Sequence, residues 1–265
     1  MRNFYYVHTG HRIGLDRFRR ACAIINALGD EEITLLCSDF RIAQVARDFG
    51  VKNSVGIDVV RNIPQIAQNG DQLIFDSDEA NPIMLEDMKL YFSKFIHIKS
   101  DEIAIDNKFF HRYEKSIPIS FFFGDDDYEK DLEKNLSFLN TLKPELQLGF
   151  YYFLDYEDSL KEKFESYHEF EYYDEMIQKT DILITASPQA VLESLASSGK
   201  PIYFQREDYT DDFRELFLSL NIPIIDNYDN NRLLSILETI DKHKYNSIEQ
   251  NSNKIVNLIK KNLNF

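Results

Sequence analysis

Residues 181–204, DILITASPQAVLESLASSGKPIYF, decide the fold of this chain. Residues 182–184 form a short apolar run that is typical of a buried parallel strand. Ser187 is a favourable helix N-cap, and Pro188 suits the first helical position, where no backbone N–H is needed. Apolar residues then recur at helical spacing, and we expect Gly199 to end the helix with a positive φ. The stretch therefore predicts a strand, a helix and a second strand.

The turn between this strand and this helix is a candidate binding site. In α/β proteins such turns bind anionic ligands, because the N–H groups of a helix N-terminus point toward them. We therefore expect Ser187, Pro188 and Gln189 to contact a ligand. Glu193 on the helix could accept hydrogen bonds from a ribose diol, and Arg206 after the next strand could pair with a phosphate. An ordinary exposed glutamate is the alternative for Glu193.

Alternating apolar runs and amphipathic segments extend over most of the chain. This alternation predicts parallel sheets with helices on both faces. Residues 99–116 are polar and irregular, which indicates a connection between two domains. We predict an N-terminal α/β domain at residues 1–115 and a C-terminal α/β domain at residues 116–265, with the last helix packing back on the first domain.

Local patterns predict the individual elements. Apolar residues at helical spacing extend over residues 40–49 and 128–142, which predicts two helices. Residues 148–153 are almost entirely apolar and aromatic, so they predict a strand.

The composition limits the classes of function. Of the 265 residues 43% are hydrophobic and 28% are charged, and the formal net charge is −15. This charge argues against binding to nucleic acid or to an anionic lipid surface. A phosphate-bearing small molecule stays compatible with it, because local N–H groups and one or two arginines can outweigh the overall field.

Other features indicate a cytoplasmic protein without a membrane span. Cys22 and Cys37 lie in apolar segments and are expected to be buried thiols in a reducing compartment. The sequence contains no Cys-x-x-Cys pair and no Cys/His cluster that would predict a zinc site. The first residues are typical of a strand rather than of a signal peptide, and no apolar run approaches membrane-spanning length.

Residues 8–20, HTGHRIGLDRFRR, form a second candidate site directly after the first predicted strand. Glycines there let the backbone approach a ligand, although the pattern is not the G-x-G-x-x-G dinucleotide fingerprint. His11 could act as a general base, and the arginines could pair with phosphate or carboxylate. The candidate residues are Thr9, Gly10, His11, Gly14, Asp16, Arg17 and Arg20. A solvated basic helix face is the alternative.

Two acidic motifs also follow predicted strands. Residues 124–127, GDDD, could hold a metal through oxygen ligands, but capping of the next helix is the favoured interpretation. Gly124 remains a candidate for substrate contact. Asp76 and Asp78 form an Asp-x-Asp pattern that is similar to the metal-binding motif of GT-A-fold sugar-nucleotide transferases.

Residues 181–204 resemble part of the C-terminal domain of GT-B-fold sugar-nucleotide enzymes. The shared features are the strand, the small-residue turn, the helix with Glu193, and Gly-Lys-Pro at residues 199–201. Two segments most resemble the pseudaminic-acid-pathway UDP-sugar hydrolase: the loop at residues 8–20, and residues 121–124, FFFG, where the α/β alternation begins again in the second domain. That family is itself similar to the lipid-linked UDP-N-acetylglucosamine transferase of cell-wall synthesis. The resemblance spans nearly the whole chain. It implies two Rossmann-like α/β domains with mostly parallel sheets in GT-B arrangement, a site in the cleft between them, and no metal or other cofactor.

The chain departs from that family at two positions. The family's first loop carries Ile-Gly-x-Gly-His, whose histidine is the catalytic acid/base, whereas here Asp16 replaces the second glycine and Arg17 replaces the histidine. A guanidinium cannot act as a base at neutral pH, so His11 or Asp16 would have to substitute. In addition, Glu193 lies six residues before Gly199, where the family has five.

The resemblance therefore implies a glycosyltransferase-like enzyme that acts on a nucleotide-activated sugar, UDP-linked, in bacterial surface-glycan biosynthesis. Its partners would be the nucleotide-sugar and a glycan or lipid-linked acceptor. The alternatives are a UDP-sugar hydrolase of the pseudaminic acid pathway and an inactive GT-B-like binding or scaffold protein. A further alternative is a metal-dependent GT-A transferase that uses Asp76 and Asp78.

Overall fold

The computed structural model describes residues 1–29, 32–139, 142–250 and 254–263. The chain divides into two compact units, the first comprising Met1–Asn107 and Asn251–Phe265 and the second Lys108–Gln250. Each unit has its own parallel sheet, and each is described by itself.

The sheet of the first unit has five strands in the order β3-β2-β1-β4-β5. These strands are β1 Asn3–Val7, β2 Ile33–Cys37, β3 Asn53–Gly56, β4 Gln72–Asp76 and β5 Lys94–His97. The helices of this unit are α1 Asp16–Leu28, α2 Phe40–Val45, α3 Ile63–Ile66 and α4 Pro82–Tyr91, and the C-terminal helix α11 Lys254–Asn262 packs against α1. Every described pairing is parallel, with Asn3 of β1 opposite both Ile33 and Gln72. All five strands therefore end at one edge of the sheet.

The sheet of the second unit has six parallel strands in the order β11-β10-β9-β6-β7-β8. The strands are β6 Ile117–Phe122, β7 Glu145–Gln147, β8 Tyr167–His168, β9 Thr180–Thr185, β10 Lys200–Gln205 and β11 Ile224–Asp226. The helices are α5 Asp131–Lys134, α6 Leu154–Lys163, α7 Tyr173–Lys179, α8 Pro188–Ala196, α9 Arg214–Ser219 and α10 Asn230–Leu237. Fully buried aromatic side chains such as Phe121 and Phe204 fill the core between sheet and helices.

The stretch at residues 181–204 forms β9, α8 and β10, as its pattern predicts. Ser187 is the N-cap, because its hydroxyl accepts a hydrogen bond from the Ala190 N–H at 3.1 Å. The expected positive φ at Gly199 is wrong, since Ser198 adopts the left-handed conformation instead, with φ 62°. Gly199 is required for space, because a Cβ there would lie 2.5 Å from the Ser194 hydroxyl oxygen.

Three predicted elements differ in the structure. The helix expected over residues 40–49 ends at Val45 and continues as turns. The helix expected over residues 128–142 is reduced to α5 and a 3-10 turn at Leu136–Leu139, and residues 140–141 lie outside the described ones. Lys130, with φ 56°, delays the helix, and Asn135, whose side chain bonds the Asp131 carbonyl at 2.9 Å, ends it.

Residues 148–153 form a loop rather than the predicted strand, because pairing in β7 ends at Gln147. The chain turns at Gly149, and the Tyr151 N–H donates to the Asp125 carbonyl at 2.7 Å. A Cβ at Gly149 would lie 2.5 Å from the Gly124 carbonyl oxygen. The apolar character of this segment therefore reflects aromatic packing under a turn, not a strand.

None of the helices in the described part of the chain has the length and apolar character of a membrane-spanning segment.

Candidate functional site

Three neighbouring strands of the second unit end in residues that the sequence singles out. The turn at residues 124–127 follows β6, Ser187 follows β9, and Arg206 follows β10. Because these strands are parallel and adjacent, the three segments meet at one edge of the sheet. Ligands of α/β proteins bind at this kind of edge.

Hydrogen bonds order the backbone at the start of α8. The Ser187 N–H donates to the Thr185 hydroxyl at 3.0 Å, and the Ser187 carbonyl accepts from the Val191 N–H at 3.1 Å. Pro188 occupies the first helical position and carries no N–H to satisfy. The helix has nine residues, and the positive end of its dipole lies at this turn. A negatively charged group is therefore favoured beside Ser187–Gln189.

Glu193 lies on α8 with only 2% of its surface exposed. One carboxylate oxygen accepts a hydrogen bond from the Tyr173 hydroxyl at 2.6 Å, and the other accepts from the Gln189 side-chain amide at 2.9 Å. The sequence pattern left open whether Glu193 is an ordinary exposed residue, and the burial shows that it is not. A ribose diol would have to share these oxygens with Tyr173 and Gln189.

Arg206 is embedded beneath the turn at residues 124–127, with 4% of its surface exposed. Its guanidinium lies 4.4 Å from the centre of the Phe123 ring and 4.2 Å from that of Tyr209. It donates to the Asp126 carbonyl at 2.8 Å and pairs with the Asp208 carboxylate at 2.6 Å. Most N–H donors of the Arg206 guanidinium therefore bond to Asp208 and to the turn, and these bonds stabilise the conformation of the turn.

The aspartates of this turn are almost completely buried. The Asp127 carboxylate accepts from the N–H groups of Asp131 at 2.8 Å and Leu132 at 2.9 Å, and also from the Tyr156 hydroxyl. The helix-capping interpretation of the acidic motif thus matches the geometry. Burial raises the pKa of Asp126 above its ordinary value, although Arg206 and the Tyr209 hydroxyl favour its charged form.

The loop after β1 in the first unit folds into a closed turn. Gly10 and Gly14 pair as an antiparallel bridge, and the Gly10 carbonyl accepts from the Gly14 N–H at 3.0 Å. The Thr9 N–H donates to the Ser38 hydroxyl at 2.8 Å, which ties this loop to the end of β2. His11 lies at the exposed tip of the turn.

Three arginines of α1 lie near carboxylates of the first unit. Arg20 is buried, pairs with Asp76 at 2.5 Å, and donates to the Ser100 and Glu102 carbonyls at 2.9 and 2.5 Å. Arg17 pairs with Asp78, and the Arg19 guanidinium lies 3.9 Å from Asp16. Each aspartate of the Asp-x-Asp motif therefore forms an ion pair with an arginine.

A polar cluster that the sequence interpretation missed lies at the same edge of the first sheet. Glu79 accepts hydrogen bonds from the Tyr6 hydroxyl and from the Ser77 hydroxyl, the latter at 3.1 Å. The His8 Nδ1 atom lies 3.7 Å from the Glu79 carboxylate, and the His97 ring contacts the Ser77 carbonyl at 3.1 Å. Burial lowers the pKa of His8, with Arg17 adding to the effect and the Glu79 and Asp78 carboxylates opposing it. The available signal was that His8 and Glu79 both follow buried strands, but nothing in the sequence states that β1 and β4 are neighbours.

Two further observations delimit the candidate sites. Among the described residues, no group of three or more histidine, cysteine, aspartate or glutamate side chains is arranged to hold a metal ion. A groove of about 670 Å³ lies beside β11 between α9 and α10, and the Arg214–Asp226 ion pair lines it. None of the residues predicted from the sequence lines this groove.

A scan of protein-family models finds no match to the sequence, and no curated protein matches it either. Solved structures do match its fold. The UDP-GlcNAc 2-epimerase of Methanocaldococcus jannaschii, in complex with UDP-GlcNAc and UDP, has a TM-score of 0.61 and 10% identity, over 98% of this chain and 100% of that one. The spinosyn rhamnosyltransferase SpnG, complexed with thymidine diphosphate, has a TM-score of 0.55 and 10% identity, over 91% of this chain and 92% of that one.

The E. coli heptosyltransferase WaaC with ADP has a TM-score of 0.52 and 10% identity, over 92% of this chain and 99% of that one. The chain has the GT-B fold. This confirms the predicted class of two Rossmann-like domains with parallel sheets. The GT-A alternative is wrong, because the fold is GT-B. Asp76 and Asp78 form ion pairs with Arg20 and Arg17.

Proposed function

We propose that this chain is a glycosyltransferase that acts on a nucleotide-activated sugar. The observation that carries the proposal is the meeting of three turns, after β6, β9 and β10, at one sheet edge of a GT-B fold. Similarity to proteins solved with UDP, ADP and thymidine diphosphate supports a nucleotide diphosphate as the ligand class. The fold alone does not carry a function, so the proposal rests on the chemistry of this edge.

The nucleotide would bind through the start of α8. The diphosphate would lie beside the N-terminal turn at Ser187, Pro188 and Gln189, where the helix dipole stabilises negative charge and assists departure of the leaving group. Gly124, with φ 122°, would let the backbone approach the ligand closely. No step of this scheme requires a metal.

Glu193 would contact the ribose. The Glu193 carboxylate accepts from Tyr173 and Gln189, which fixes its orientation, and a ribose diol would share its oxygens with them. Arg206 would contribute mainly through the position of the turn above it and through its charge.

The sugar or acceptor would face the loop after β1, which includes Thr9, Gly10 and Gly14. We propose UDP as the nucleotide and bacterial surface-glycan synthesis as the setting, with a glycan or lipid-linked acceptor. The buried thiols of Cys22 and Cys37, which form no disulfide, suit a reducing compartment such as the cytoplasm.

Transfer to an acceptor is favoured over hydrolysis of the UDP-sugar. Arg17, which replaces the family's catalytic histidine, is paired with Asp78, so it provides neither a base nor an uncompensated positive charge. His11 and Asp16 are the candidate bases that the sequence alone suggested. Hydrolysis of the pseudaminic-acid-pathway type is the second candidate, favoured by the Ile13-Gly14 pair and the trailing Arg20.

A thermal-shift screen of the full chain tests the proposal. UDP, ADP, thymidine diphosphate and their sugar conjugates are each added with EDTA or with Mn²⁺. A nucleotide present at about 100 times its Kd should stabilise the protein by about 2.7 kcal/mol. If none of them changes the Tm, the proposed function fails. Binding without turnover of any tested UDP-sugar would favour the scaffold alternative.

The matched variants are Glu193→Gln and Glu238→Gln. Glu193→Gln should weaken nucleotide binding about tenfold, because one ribose acceptor is lost, a change of about 1.4 kcal/mol. Glu238 is exposed on the end of α10, so its variant should bind like the wild type. Equal affinities of the two variants would remove Glu193 from the site.

A further inference from the structure

Strand β11 lies at one edge of the six-stranded sheet of the second unit. In the strand order β11-β10-β9-β6-β7-β8, it pairs only with β10 among the described strands. A strand in this position has one side whose main-chain N–H and C=O groups face away from the sheet, and an extended peptide can pair with that side. The groove of about 670 Å³ between α9 and α10 lies beside this edge.

The register of the pair formed by β10 and β11 shows which main-chain groups face the groove. The Tyr203 N–H donates to the Pro223 carbonyl at 2.9 Å, and Tyr203 lies opposite Ile224. In a parallel pair, the main-chain groups of alternate residues point to the partner strand. Those of Pro223 and Ile225 therefore point to β10. Those of Ile224 and Asp226 point away from the sheet, so they offer an incoming strand two N–H donors and two carbonyl acceptors.

The two helices that flank the groove present different side chains to it. On the α9 side lie Leu218, with 63% of its surface exposed, and the ion pair of Arg214 with Asp226 at 2.7 Å. On the α10 side lie the exposed Arg232 and Ser235. Arg232 forms no ion pair within the described part of the chain. One wall is therefore apolar with its charges matched, and the other carries an unmatched positive charge.

The side chains of an added strand would contact these two walls in turn, because successive side chains of a strand point to opposite faces. An apolar side chain suits the α9 side, where it covers Leu218. A carboxylate suits the α10 side, where it can pair with the Arg232 guanidinium.

We propose that this groove binds an extended peptide that pairs with β11 as a seventh strand and whose side chains alternate between apolar and acidic. Main-chain hydrogen bonds to Ile224 and Asp226 supply affinity, and the contacts with Leu218 and Arg232 select the side chains. The inference goes beyond the proposed function and is independent of it, because no residue assigned to the nucleotide site lines the groove.

A second copy of this chain is the competing occupant of the edge. Each copy has a formal net charge of −15, so two copies repel each other as they approach. A short peptide with a few carboxylates brings far less negative charge to the same edge. The electrostatics therefore favour the peptide.

Fluorescence anisotropy with the full chain tests the proposal. The probe is a labelled peptide of alternating valine and glutamate with capped ends, and it should bind saturably. Two further peptides are N-methylated, one at every valine and the other at every glutamate, so that only one of them loses the N–H groups that face β11. One version should therefore bind at least about tenfold more weakly than the other. Absence of binding by the parent peptide, or equal affinities of the two methylated versions, overturns the proposal.

A change at Ile224 tests the edge from the side of the protein. Ile224→Pro removes an N–H that faces the groove and spares the pairing with β10, and proline is tolerated on edge strands. It should weaken binding of the valine–glutamate peptide by at least about tenfold. Ile224→Val is the matched control and should bind like the wild type, with circular dichroism and the Tm confirming the fold of both. Equal affinities of the two folded variants overturn the pairing with β11.

Arg232→Gln tests the choice of side chains and does not alter the strand. The wild type should bind the valine–glutamate peptide more tightly than a valine–lysine peptide, and this preference should fall by about three- to tenfold in Arg232→Gln. Arg61→Gln, a change at an exposed arginine of the first unit, should leave it unchanged. An unchanged preference in Arg232→Gln overturns the role of Arg232.

Light scattering and UDP titration separate the remaining outcomes. The wild type should be a monomer at the concentrations of the binding assay. A dimer that Ile224→Pro dissociates would show that a second copy occupies the edge, which overturns the proposal. Ile224→Pro and Arg232→Gln should both bind UDP like the wild type. Absence of UDP binding defeats the proposed function alone, since the peptide assays contain no nucleotide.

Discussion

At the scale of single residues, Arg206 shows how one side chain organises a candidate site. Its donors join the Asp126 carbonyl to the Asp208 carboxylate, and its guanidinium lies over the rings of Phe123 and Tyr209. A lysine offers one compact charge and cannot reproduce a fork of donors with stacking. The residue is therefore specified by geometry as much as by charge.

Arg206→Lys should lower the free energy of unfolding by about 3 kcal/mol, because it leaves the buried Asp126 carboxylate, 3.8 Å from the guanidinium, and the Asp126 carbonyl poorly paired. Urea unfolding monitored by circular dichroism measures the loss. Arg214→Lys is the matched control, since Arg214 forms an exposed pair with Asp226 whose loss should cost less than about 1 kcal/mol. Equal effects at the two positions would contradict the role assigned to Arg206.

Gly149 marks the closest backbone approach beside the same turn. A Cβ there would lie 2.5 Å from the Gly124 carbonyl oxygen and 2.8 Å from the Asp125 carbonyl carbon, and backbone atoms cannot move aside cheaply. Gly149→Ala should destabilise the protein by about 1–3 kcal/mol. Ser166→Ala, at an exposed position of the same unit, should stay within about 0.5 kcal/mol of the wild type. A Gly149→Ala protein with wild-type stability in urea would show that the turn can relax.

His8 should also leave a signature in the pH dependence of stability. Its folded-state pKa is lowered, so below the ordinary value of about 6.5 the unfolded chain binds more protons at this residue than the folded one. Its contribution is thus present above pH 6.5 and is lost as the pH falls through the folded-state pKa. Unfolding measured in urea from pH 7.5 to pH 5 should show a steeper decline for the wild type than for His8→Gln. Parallel curves would contradict the lowered pKa.

At the scale of elements, α8 has local signals for its start and a tertiary reason for its end. Ser187 and Pro188 specify the N-terminus by capping and by a preset φ. The C-terminus is different, because Ser198 takes the left-handed conformation and Gly199 makes room for Ser194. Gly199 of the Gly-Lys-Pro motif is therefore required for packing in this chain.

Ser187→Ala should lower the free energy of unfolding by about 1 kcal/mol, because the Ala190 N–H loses its acceptor. Ser187→Asp should retain most of the stability, since aspartate is an equally good N-cap, but it should weaken nucleotide binding by placing a negative charge beside the diphosphate. Chemical unfolding and UDP titration of the two variants separate capping from binding. An aspartate variant that binds UDP like the wild type would move the diphosphate away from this turn.

At the scale of the whole molecule, the dominant electrostatic feature is the net charge of −15. Self-repulsion of this kind disfavours the compact state and is screened by salt over a Debye length of about 10 Å at 0.1 M. The Tm should therefore rise as NaCl increases from about 0.01 to 0.15 M, and choline chloride should act equally at the same ionic strength. A Tm that stays constant in both salts would show that local ion pairs offset the net repulsion.

The amount that the sequence could predict follows from the range of the interactions involved. Some features depend on neighbours within a few residues, so the sequence predicts them. They are the strand–helix–strand of residues 181–204, the Ser187 cap and the alternation that indicates parallel sheets. The predicted strand at residues 148–153 is wrong, because apolar and aromatic residues are equally compatible with a strand and with a packed turn. Only the contact of Gly149 with the turn after β6 distinguishes them.

The sequence by itself thus determined the class of fold, two α/β units with parallel sheets, and the location of the turns that follow their strands. The partners of the charged side chains were decided by the tertiary structure alone. Arg20 meets Asp76, Arg206 meets the turn of β6, and His8 meets Glu79 only because strands distant in sequence become neighbours in a sheet. Strand order is set by the packing of whole layers, and no local pattern encodes it.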